Sequence, residues 1–233
     1  MKTILVIPTY NEKENIESLL QEIFSLKIPD FKVIIIDDNS PDKTGDLVEK
    51  LKKRFSLKII HRPQKMGIGS AYRQGFKLAL EMGGEIICQM DADFSHHPKD
   101  LKRLITEIKK GGKVVVGSRR VLGGKILGWS KWRNFLSLSA NFLARKLLNL
   151  KTKDVTSGFR CFRRELLEKI DIFNLKSSGY AFQEEVIFRI EKKGIFVKEV
   201  PIVFQERRKG KSKLSWKEAF NFFFLIFKLI FKK

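Results

Sequence analysis

Two aspartates, Asp91 and Asp93, stand two residues apart directly after an apolar run at residues 86–90. In an extended segment, residues i and i+2 point to the same side, so the two carboxylates converge on one small volume. A hard divalent cation such as Mg²⁺ or Mn²⁺ takes oxygen ligands and bridges to the oxygens of a diphosphate. The pair therefore predicts a metal and diphosphate site, although an acidic turn without a ligand explains the tripeptide alone equally well.

Two adjacent histidines, His96 and His97, follow the aspartates and precede Pro98. Imidazoles bind metals, but polar residues ahead of a proline also commonly begin a helix. We expect the second role, in which the two rings hold the loop and the start of the next helix.

The elements that position these residues alternate between apolar strands and amphipathic helices. Strands are expected at residues 3–7, 33–36, 57–60, 86–90 and 113–117. Helices are expected at 12–26 and 100–110, and two further helices are expected to end near residues 55 and 82. Continuous apolar strands in this alternation predict an α/β fold whose mainly parallel sheet is covered on both faces. The polar segments 8–12, 37–42 and 91–95 then meet at one sheet edge, where open α/β sheets bind ligands.

The composition is that of one globular domain: 233 residues, of which 43% are hydrophobic and 31% charged. An excess of 47 Lys and Arg over 26 Asp and Glu leaves a formal net charge of +21. Such a field favours polyanions, namely nucleic acid, an anionic membrane surface or phosphorylated substrates, without distinguishing among them.

Cysteine usage and hydropathy predict the setting of the chain. Cys88 and Cys161 are too few for a disulfide framework, so we expect both to be reduced in a cytoplasmic protein. The first apolar run is too short for a signal peptide, and no apolar run reaches the roughly 18 residues of a membrane-spanning helix.

Six motifs together resemble the family 2 glycosyltransferases, and within them the dolichol-phosphate and polyprenyl-phosphate mannose synthases. They are IPTYNEKENI at 7–16, IIDDNSPDKT at 35–44, MDADFSHHP at 90–98, VGSR at 116–119, TSGFR at 156–160 and RKGKSK at 208–213. The resemblance implies a GT-A fold over residues 1–214, with Mg²⁺ or Mn²⁺ at the D-x-D. It also implies inverting transfer of mannose from GDP-mannose to dolichyl or another polyprenyl phosphate, by a peripheral protein at the cytoplasmic face of a membrane.

The same resemblance assigns overlapping sets of site residues. The donor-binding set is Pro8, Tyr10, Glu12, Ile36, Asp38, Asp91, Ala92, Asp93, Ser95, Arg119, Arg207 and Lys213. The expected metal ligands are Asp91, Asp93 and Ser95, the last at a position where relatives often carry Gln. The acceptor phosphate is assigned to Arg119, Arg133 and Ser137, since guanidinium groups bind phosphate oxygens bidentately. The expected catalytic set is Asp91, Asp93, Arg119 and Arg133.

A further segment, residues 179–185, is expected beside the donor sugar and contains Glu184 and Glu185. Glu185 is a candidate for sugar binding, or it pairs with Arg189 at helical spacing. A phosphate acceptor is already anionic at neutral pH, so neither carboxylate is required as a general base.

Candidate membrane contacts follow in the second half of the chain. Residues 119–153 are expected to form an insertion facing the acceptor and the membrane, with an aromatic and basic helix at 129–150. This helix either packs on the core or lies in a membrane interface, and the same alternatives hold for an amphipathic helix at 215–233. The resemblance leaves open whether the chain binds lipid unaided or needs a small membrane subunit.

Two other functions are consistent with parts of the sequence. The same fold with UDP-glucose or another sugar nucleotide as donor retains every motif. A basic nucleic-acid-binding module explains the charge of +21 but not the three acidic strand ends, so nucleic acid is not an expected partner.

Overall fold

The computed structural model describes residues 1–175, 177, 179–207, 226 and 229. Its centre is a seven-stranded sheet in the order β3-β2-β1-β4-β7-β5-β8, and β6 and β9 form a separate pair. The strands are β1 (Thr3–Thr9), β2 (Phe31–Asp37), β3 (Leu57–His61), β4 (Ile86–Gln89), β5 (Val114–Ser118), β6 (Lys125–Leu127), β7 (Arg160–Arg163), β8 (Lys198–Pro201) and β9 (Val203–Gln205).

Helices cover both faces of this sheet. They are α1 (Lys13–Ser25), α2 (Thr44–Leu51), α3 (Ile68–Glu81), α4 (Pro98–Lys109), α5 (Lys131–Leu148), α6 (Arg164–Lys169) and α7 (Phe182–Lys192). Ile4 and Val6 of β1 belong to the core that includes α3 and α7, whereas Leu5 and Ile7 belong to the core that includes α1 and α4. Successive strand residues point to opposite faces, so a continuous apolar strand is buried on both sides. The predicted mainly parallel α/β fold is confirmed.

One strand reverses direction. β7 is antiparallel to β4 and β5, whereas the pairings of β1 with β2 and β4, of β2 with β3 and of β5 with β8 are parallel. The segment between β5 and β7 therefore leaves the sheet and returns to it at the same edge, the carboxyl edge of the parallel strands. Both ends of the expected insertion 119–153 consequently lie at the edge that carries Asp91 and Asp93.

The cysteines form a disulfide. Cys88 of β4 and Cys161 of β7 are register partners, their Cα atoms are 4.1 Å apart, and both are fully buried. The expectation of two reduced cysteines is wrong, because directly opposed positions on antiparallel neighbours bring the two side chains together. The two cysteines are 73 residues apart in the sequence, and no local pattern indicated that they pair.

The end of the chain is described at two positions. Ile226 and Leu229 are helical and pack against the core that includes α3 and α7. At these positions the structure supports docking on the protein's own core, and the remainder of the helix expected at 215–233 lies outside the described residues. Lys213 also lies outside them. Among the helices of the described residues, none has the length and hydropathy to cross a bilayer.

Candidate active site

The carboxyl ends of β1, β2 and β4 place the three polar segments side by side, since these strands are neighbours in the sheet. β2 ends at Asp37, whose carboxylate accepts hydrogen bonds from the Thr9 hydroxyl at 2.9 Å and the Ser40 hydroxyl at 2.6 Å. Asp37 thereby ties the end of β1 to the turn after β2. This network holds the edge together and leaves the neighbouring Asp38 for other contacts.

Asp91 follows β4 and keeps 31% of its side chain exposed. Its Oδ1 accepts a hydrogen bond from the Tyr72 hydroxyl of α3 at 3.3 Å, and its main-chain N–H donates to Nδ1 of His96 at 3.3 Å. Burial, reinforced by the charge of Asp91, raises the pKa of Tyr72 well above its ordinary value, so the phenol stays protonated and donates. Tyr72 therefore helps to orient a carboxylate that is partly exposed.

Asp93 is held by its own turn. Its Oδ1 accepts from the Ser95 main-chain N–H at 3.1 Å and from the Ser95 hydroxyl at 2.6 Å, and its Oδ2 lies 3.5 Å from Nη2 of Arg207. Ser95 is 2% exposed, so its hydroxyl orients the carboxylate of Asp93. In the structure Ser95 is a hydrogen-bond partner of Asp93, and its role as a third metal ligand stays a prediction.

A divalent cation fits this arrangement as a partly protein-bound ion. The described residues contain no group of three or more His, Cys, Asp or Glu side chains arranged to hold a metal. Mg²⁺ commonly uses one or two carboxylates and completes its shell with substrate phosphates and water. Asp91 and Asp93 supply hard oxygen ligands of that number, so the residues suit a cation that arrives with, or is completed by, a diphosphate.

The histidines have the predicted structural roles. His97 begins α4, and its side chain accepts a hydrogen bond from the main-chain N–H of Lys99 at 3.2 Å. The ring of His96 is buried and stacks on Phe159 with ring centres 5.0 Å apart. Burial lowers the pKa of His96 to about 4, so the ring is neutral at pH 7 and accepts from the Asp91 main chain.

The expected nucleotide residues at the end of β2, Ile36 and Asp38, both have contacts within the protein. Asp38 is buried and forms an ion pair with Arg62, with 2.5 Å between Oδ1 and Nη1, and it also accepts from the Met66 main-chain N–H at 3.3 Å. Ile36 is fully buried in the core beside Gly75 of α3. Any contact of Ile36 with a nucleotide would therefore use its main chain, and its donor-binding role stays a prediction. Arg62, which the sequence reading omitted, is the cation that neutralises Asp38.

The residues after β1 are also engaged locally. Tyr10 lies under the ammonium of Lys65, 4.6 Å from the ring centre. The carboxylate of the buried Glu12 accepts from the Asn15 amide at 2.9 Å, and its main-chain N–H donates to the Thr44 hydroxyl at 2.9 Å. These contacts explain why the segment from Pro8 onward has one defined conformation, and a nucleotide role for it stays a prediction. The side chain of Ala92, between the two aspartates, is buried in the core, which leaves its main chain for any donor contact.

The predicted acceptor residues Arg119 and Ser137 each have a partner within the protein. Arg119 is buried, and its guanidinium donates to the carboxylate of Asp154 and to the Thr156 hydroxyl at 2.6 Å. Ser137 of α5 instead contacts Arg120, whose Nη2 lies 3.1 Å from the Ser137 hydroxyl. The assignment of Arg119, Arg133 and Ser137 to the acceptor phosphate stays a prediction, and Arg120, which the sequence motifs did not indicate, lies beside Ser137.

Arg133 of α5 is half-exposed and faces the strand segment that follows β9. Its Nη1 lies 2.5 Å from Oε2 of Glu206, and its guanidinium carbon is 4.3 Å from the ring centre of Trp129. Arg207, the next residue after Glu206, contacts Asp93. A short chain of contacts therefore connects the start of α5 to the D-x-D.

The start of α7 brings three buried polar side chains toward the same edge. Gln183 accepts at Oε1 from the Gln89 amide at 2.8 Å. Burial raises the pKa of Glu184 to about 7, and no described residue donates a hydrogen bond to its Oε2. Glu185 accepts from the Ser177 hydroxyl at 2.6 Å and lies 3.5 Å from Arg189. The helical pairing expected for Glu185 is thus observed, and it leaves this carboxylate turned toward structural partners.

The outer face of α5 is apolar. The helix buries Asn141, Ala144 and Leu148 against the protein. The opposite side exposes six large hydrophobic residues, with exposed fractions of 44% to 67%: Trp132, Phe135, Leu136, Leu138, Phe142 and Leu147. A contiguous apolar surface of this kind marks a protein or membrane contact. The helix packs one side on the core, and an interfacial role for its outer side stays a prediction.

Comparison with known proteins shows which family this chain matches. The model of the family described as glycosyl transferase family 2 matches residues 4–171. A polyprenol monophosphomannose synthase of Mycolicibacterium smegmatis is 40% identical over 92% of this chain and 81% of its own length. An undecaprenyl-phosphate mannosyltransferase of Micrococcus luteus is 39% identical over 92% of this chain and 88% of its own length.

A solved structure shares the fold at low sequence identity. The mannosyltransferase PcManGT of Pyrobaculum calidifontis, in complex with GDP-Man and Mn²⁺, superposes with a TM-score of 0.61 and is 18% identical. The match covers 91% of this chain and 58% of that one. At this identity the likeness concerns the fold alone.

Proposed function

Since the chain belongs to glycosyl transferase family 2, as its motifs predicted, we propose that it transfers mannose from GDP-mannose to a polyprenyl phosphate. The relatives that are 39% and 40% identical over 92% of the chain carry names for polyprenyl-phosphate mannosyl transfer, which supports this acceptor and sugar. The fold neighbour in complex with GDP-Man and Mn²⁺ supports the donor.

One structural observation carries the proposal: the partly exposed Asp91 and the buried Asp93 lie directly after the end of β4, with arginines of the 119–133 segment at the same sheet edge. Arg119 is near enough for its pKa to respond to the charge of Asp91. Acids and guanidinium groups at one edge suit a reaction between two phosphorylated molecules. A cation on the acids binds one of them, and the arginines bind the other.

A bound Mg²⁺ or Mn²⁺, held by Asp91 and Asp93, would neutralise charge on the donor's diphosphate. The protein's side chains position the donor and the acceptor. Tyr72 and Ser95 orient the two carboxylates, Arg120 and Arg133 bind the acceptor phosphate, and Arg207 contacts the diphosphate beside Asp93. Holding the acceptor in line with the anomeric carbon is the main contribution of these residues to the rate.

The chemistry needs no general base. The acceptor phosphate is an anion at neutral pH, so one of its oxygens attacks the anomeric carbon directly. The bond from that carbon to the diphosphate oxygen breaks as the new bond forms, GDP leaves with the electron pair, and the configuration inverts. Proton transfer is not part of the step, which agrees with the structural partners found for Glu185 and His96.

The acceptor's lipid chain requires a membrane beside the site. We place the protein as peripheral at the cytoplasmic face, with the exposed face of α5 in the interface. Trp132, Phe135 and Phe142 provide amphipathic and apolar contacts there, and the net charge of +21 attracts anionic lipid. This contact is expected without a membrane subunit, and binding of the isolated chain to vesicles tests that.

A donor panel tests the proposed reaction. Radiolabelled GDP-mannose and UDP-glucose are each incubated with the protein, Mn²⁺ and polyprenyl phosphate, and lipid-linked label is extracted into organic solvent. We expect lipid-linked label from GDP-mannose alone. Label from UDP-glucose alone would contradict the proposal and identify UDP-glucose as the donor.

Matched variants identify the site in the same assay. Asp91→Asn should abolish turnover, whereas Asp46→Asn, an exposed aspartate on α2, should retain it. Turnover by Asp91→Asn at the wild-type rate would refute the metal assignment. Nucleic acid that bound with a steep salt dependence and displaced GDP would favour the nucleic-acid alternative.

A further inference from the structure

Gln183, the second residue of α7, is 3% exposed and hydrogen-bonded to Gln89, the last residue of β4. Nε2 of Gln89 donates to Oε1 of Gln183 at 2.8 Å and to the Gly158 carbonyl oxygen at 3.0 Å. A carbonyl oxygen only accepts, so the contact with Gly158 identifies the NH₂ end of Gln89. Gln183 must then turn its oxygen toward Gln89 and its NH₂ group away from it.

The NH₂ group of Gln183 faces a gap at Gly158. A Cβ atom placed on Gly158 would lie 3.5 Å from both carboxylate oxygens of Asp91 and 3.7 Å from Nε2 of Gln183. The backbone of Gly158 does not have a positive φ, so its conformation does not demand glycine. The missing side chain instead leaves room for a small group near both the carboxylate of Asp91 and the Gln183 amide.

The NH₂ group is available in this space. Within the part of the chain that the structure describes, Nε2 of Gln183 donates no hydrogen bond, although the residue is almost fully buried. This donor therefore gains a hydrogen bond when a ligand supplies an acceptor. The amide is also held in advance by Gln89, so a ligand hydroxyl meets a donor of fixed direction.

We propose that Gln183 is a sugar-positioning residue, which donates a hydrogen bond from Nε2 to a hydroxyl of the donor sugar in the gap above Gly158. This inference rests on the proposed function, because it requires the donor's diphosphate at Asp91 and Asp93. The group attached to that diphosphate is the sugar, and the space beside Asp91 is where it lies. A carboxylate and an amide near the same space offer an acceptor and a donor to a polyol.

The test separates the sugar from the nucleotide. Gln183→Glu keeps an oxygen for the Gln89 amide and the shape of the side chain, but replaces the NH₂ donor with an acceptor. Calorimetric titrations with Mn²⁺ compare the Kd of GDP with that of GDP-mannose for wild type and variant. The expected result is a GDP affinity within about twofold of wild type and a GDP-mannose affinity weakened by about tenfold, since a lost hydrogen bond changes Kd by that order.

Two further variants complete the experiment. Gly158→Ala fills the gap with a methyl group at ordinary contact distances, so it should fold and show the same selective loss for GDP-mannose. Gln74→Glu, an exposed residue of α3, makes the same chemical change away from the site and should leave both affinities unchanged. It corrects for the added charge.

The outcomes are distinguishable. Equal weakening of GDP and GDP-mannose by Gln183→Glu, or no weakening of either, would overturn the inference. A wild-type protein that binds GDP but gains nothing from the sugar would also overturn it. Failure of the wild type to bind GDP or GDP-mannose at all would instead refute the proposed function.

Discussion

The guanidinium of Arg119 and the carboxylate of Asp154 form a two-point ion pair, with 2.8 Å between Nε and Oδ2 and 2.6 Å between Nη2 and Oδ1. The main-chain N–H of Arg119 donates to the same carboxylate at 2.8 Å. The pair joins the end of β5 to the segment that precedes β7, and both residues are buried. It therefore controls how the inserted segment meets the sheet.

Replacing Asp154 with Ala should destabilise the protein strongly. Burial by itself would raise the pKa of Asp154, but the charge and hydrogen bonds of Arg119 outweigh it and lower the pKa. Removing one partner of a buried pair leaves the other uncompensated, at a cost of about 3–5 kcal/mol in the free energy of unfolding. Urea denaturation measures this.

The exposed pair Arg164–Glu168 provides the control, and Glu168→Ala should cost less than about 1 kcal/mol. A loss of that small size for Asp154→Ala would contradict the role of the buried pair. The depressed pKa also predicts that this contribution is present above the unfolded pKa and is lost as the pH falls through the folded one.

Glu184 should make stability fall as pH rises. Burial raises its pKa from 4.5 to about 7, so between these values the folded protein holds a proton that the unfolded chain releases. Stability contributed by this group declines across that window, and above it the ionised carboxylate is buried. At pH 8 the free energy of unfolding of Glu184→Gln should thus exceed that of wild type by on the order of 2 kcal/mol. At pH 4.5 the two proteins should be nearly equally stable.

Urea denaturation of wild type and Glu184→Gln at both pH values tests this difference. Other titrating groups, including His96, act equally in the two proteins and cancel. A stability difference that is the same at pH 4.5 and pH 8 would mean that Glu184 does not titrate in this range.

Removing the outer aromatic residues of α5 should weaken membrane binding. The double variant Trp132→Gln with Phe142→Gln loses two large apolar groups, and burial of each is worth about 1.5–3 kcal/mol when complete. Flotation with vesicles that contain anionic lipid should show partitioning lowered at least about tenfold, with GDP binding unchanged. Phe196→Gln, 77% exposed near the amino end of β8, is the control and should float as wild type does.

Arg120→Ala should raise the KM for polyprenyl phosphate about tenfold and leave the KM for the donor nearly unchanged. Arg120 contacts Ser137 and Asn134 on α5, at 3.1 Å in each case, and is half-buried beside the inserted segment. A lost charge-assisted hydrogen bond to phosphate has an effect of this order. Steady-state kinetics with each substrate varied provides the measurement, with the exposed Arg103→Ala of α4 as control. An increase confined to the donor KM would place Arg120 on the other substrate.

Chelation of divalent metal should abolish turnover, and Ser95→Ala should weaken the response to added Mn²⁺ by about tenfold without eliminating it. Ser95 donates to the carboxylate of Asp93, and partners of metal-binding groups typically change affinity by about 10–100-fold. Titration of activity with Mn²⁺ compares this variant with Asp93→Ala, which should not respond at any concentration. Equal loss in both variants would return Ser95 to the role of a direct ligand.

Several features of the site were predictable from local patterns. The apolar run before Asp91, the i and i+2 spacing of Asp91 and Asp93, and the proline after His97 each depend on residues near in sequence. Backbone periodicity and helix capping act over the same short range. The helix start at His97 and the loop-holding role of His96 were therefore correctly predicted.

Other features depended on pairings between distant residues. Arg62 with Asp38, Arg120 with Ser137 and Cys88 with Cys161 join positions 17 to 73 residues apart. Side chains of equal chemistry, such as Arg119 and Arg120, look alike in the sequence. Their different partners follow from the direction in which each leaves the end of β5.

By itself the sequence determined the alternating α/β architecture, the mainly parallel sheet and the edge at which the acidic strand ends meet. These follow from hydrophobic periodicity, which is a property of neighbouring residues. Only the tertiary structure decided that β7 runs antiparallel between β4 and β5, which returns the inserted segment to the site and brings Gly158 and Gln183 beside Asp91. Strand direction and burial depend on how the whole chain packs, so no local pattern contained them.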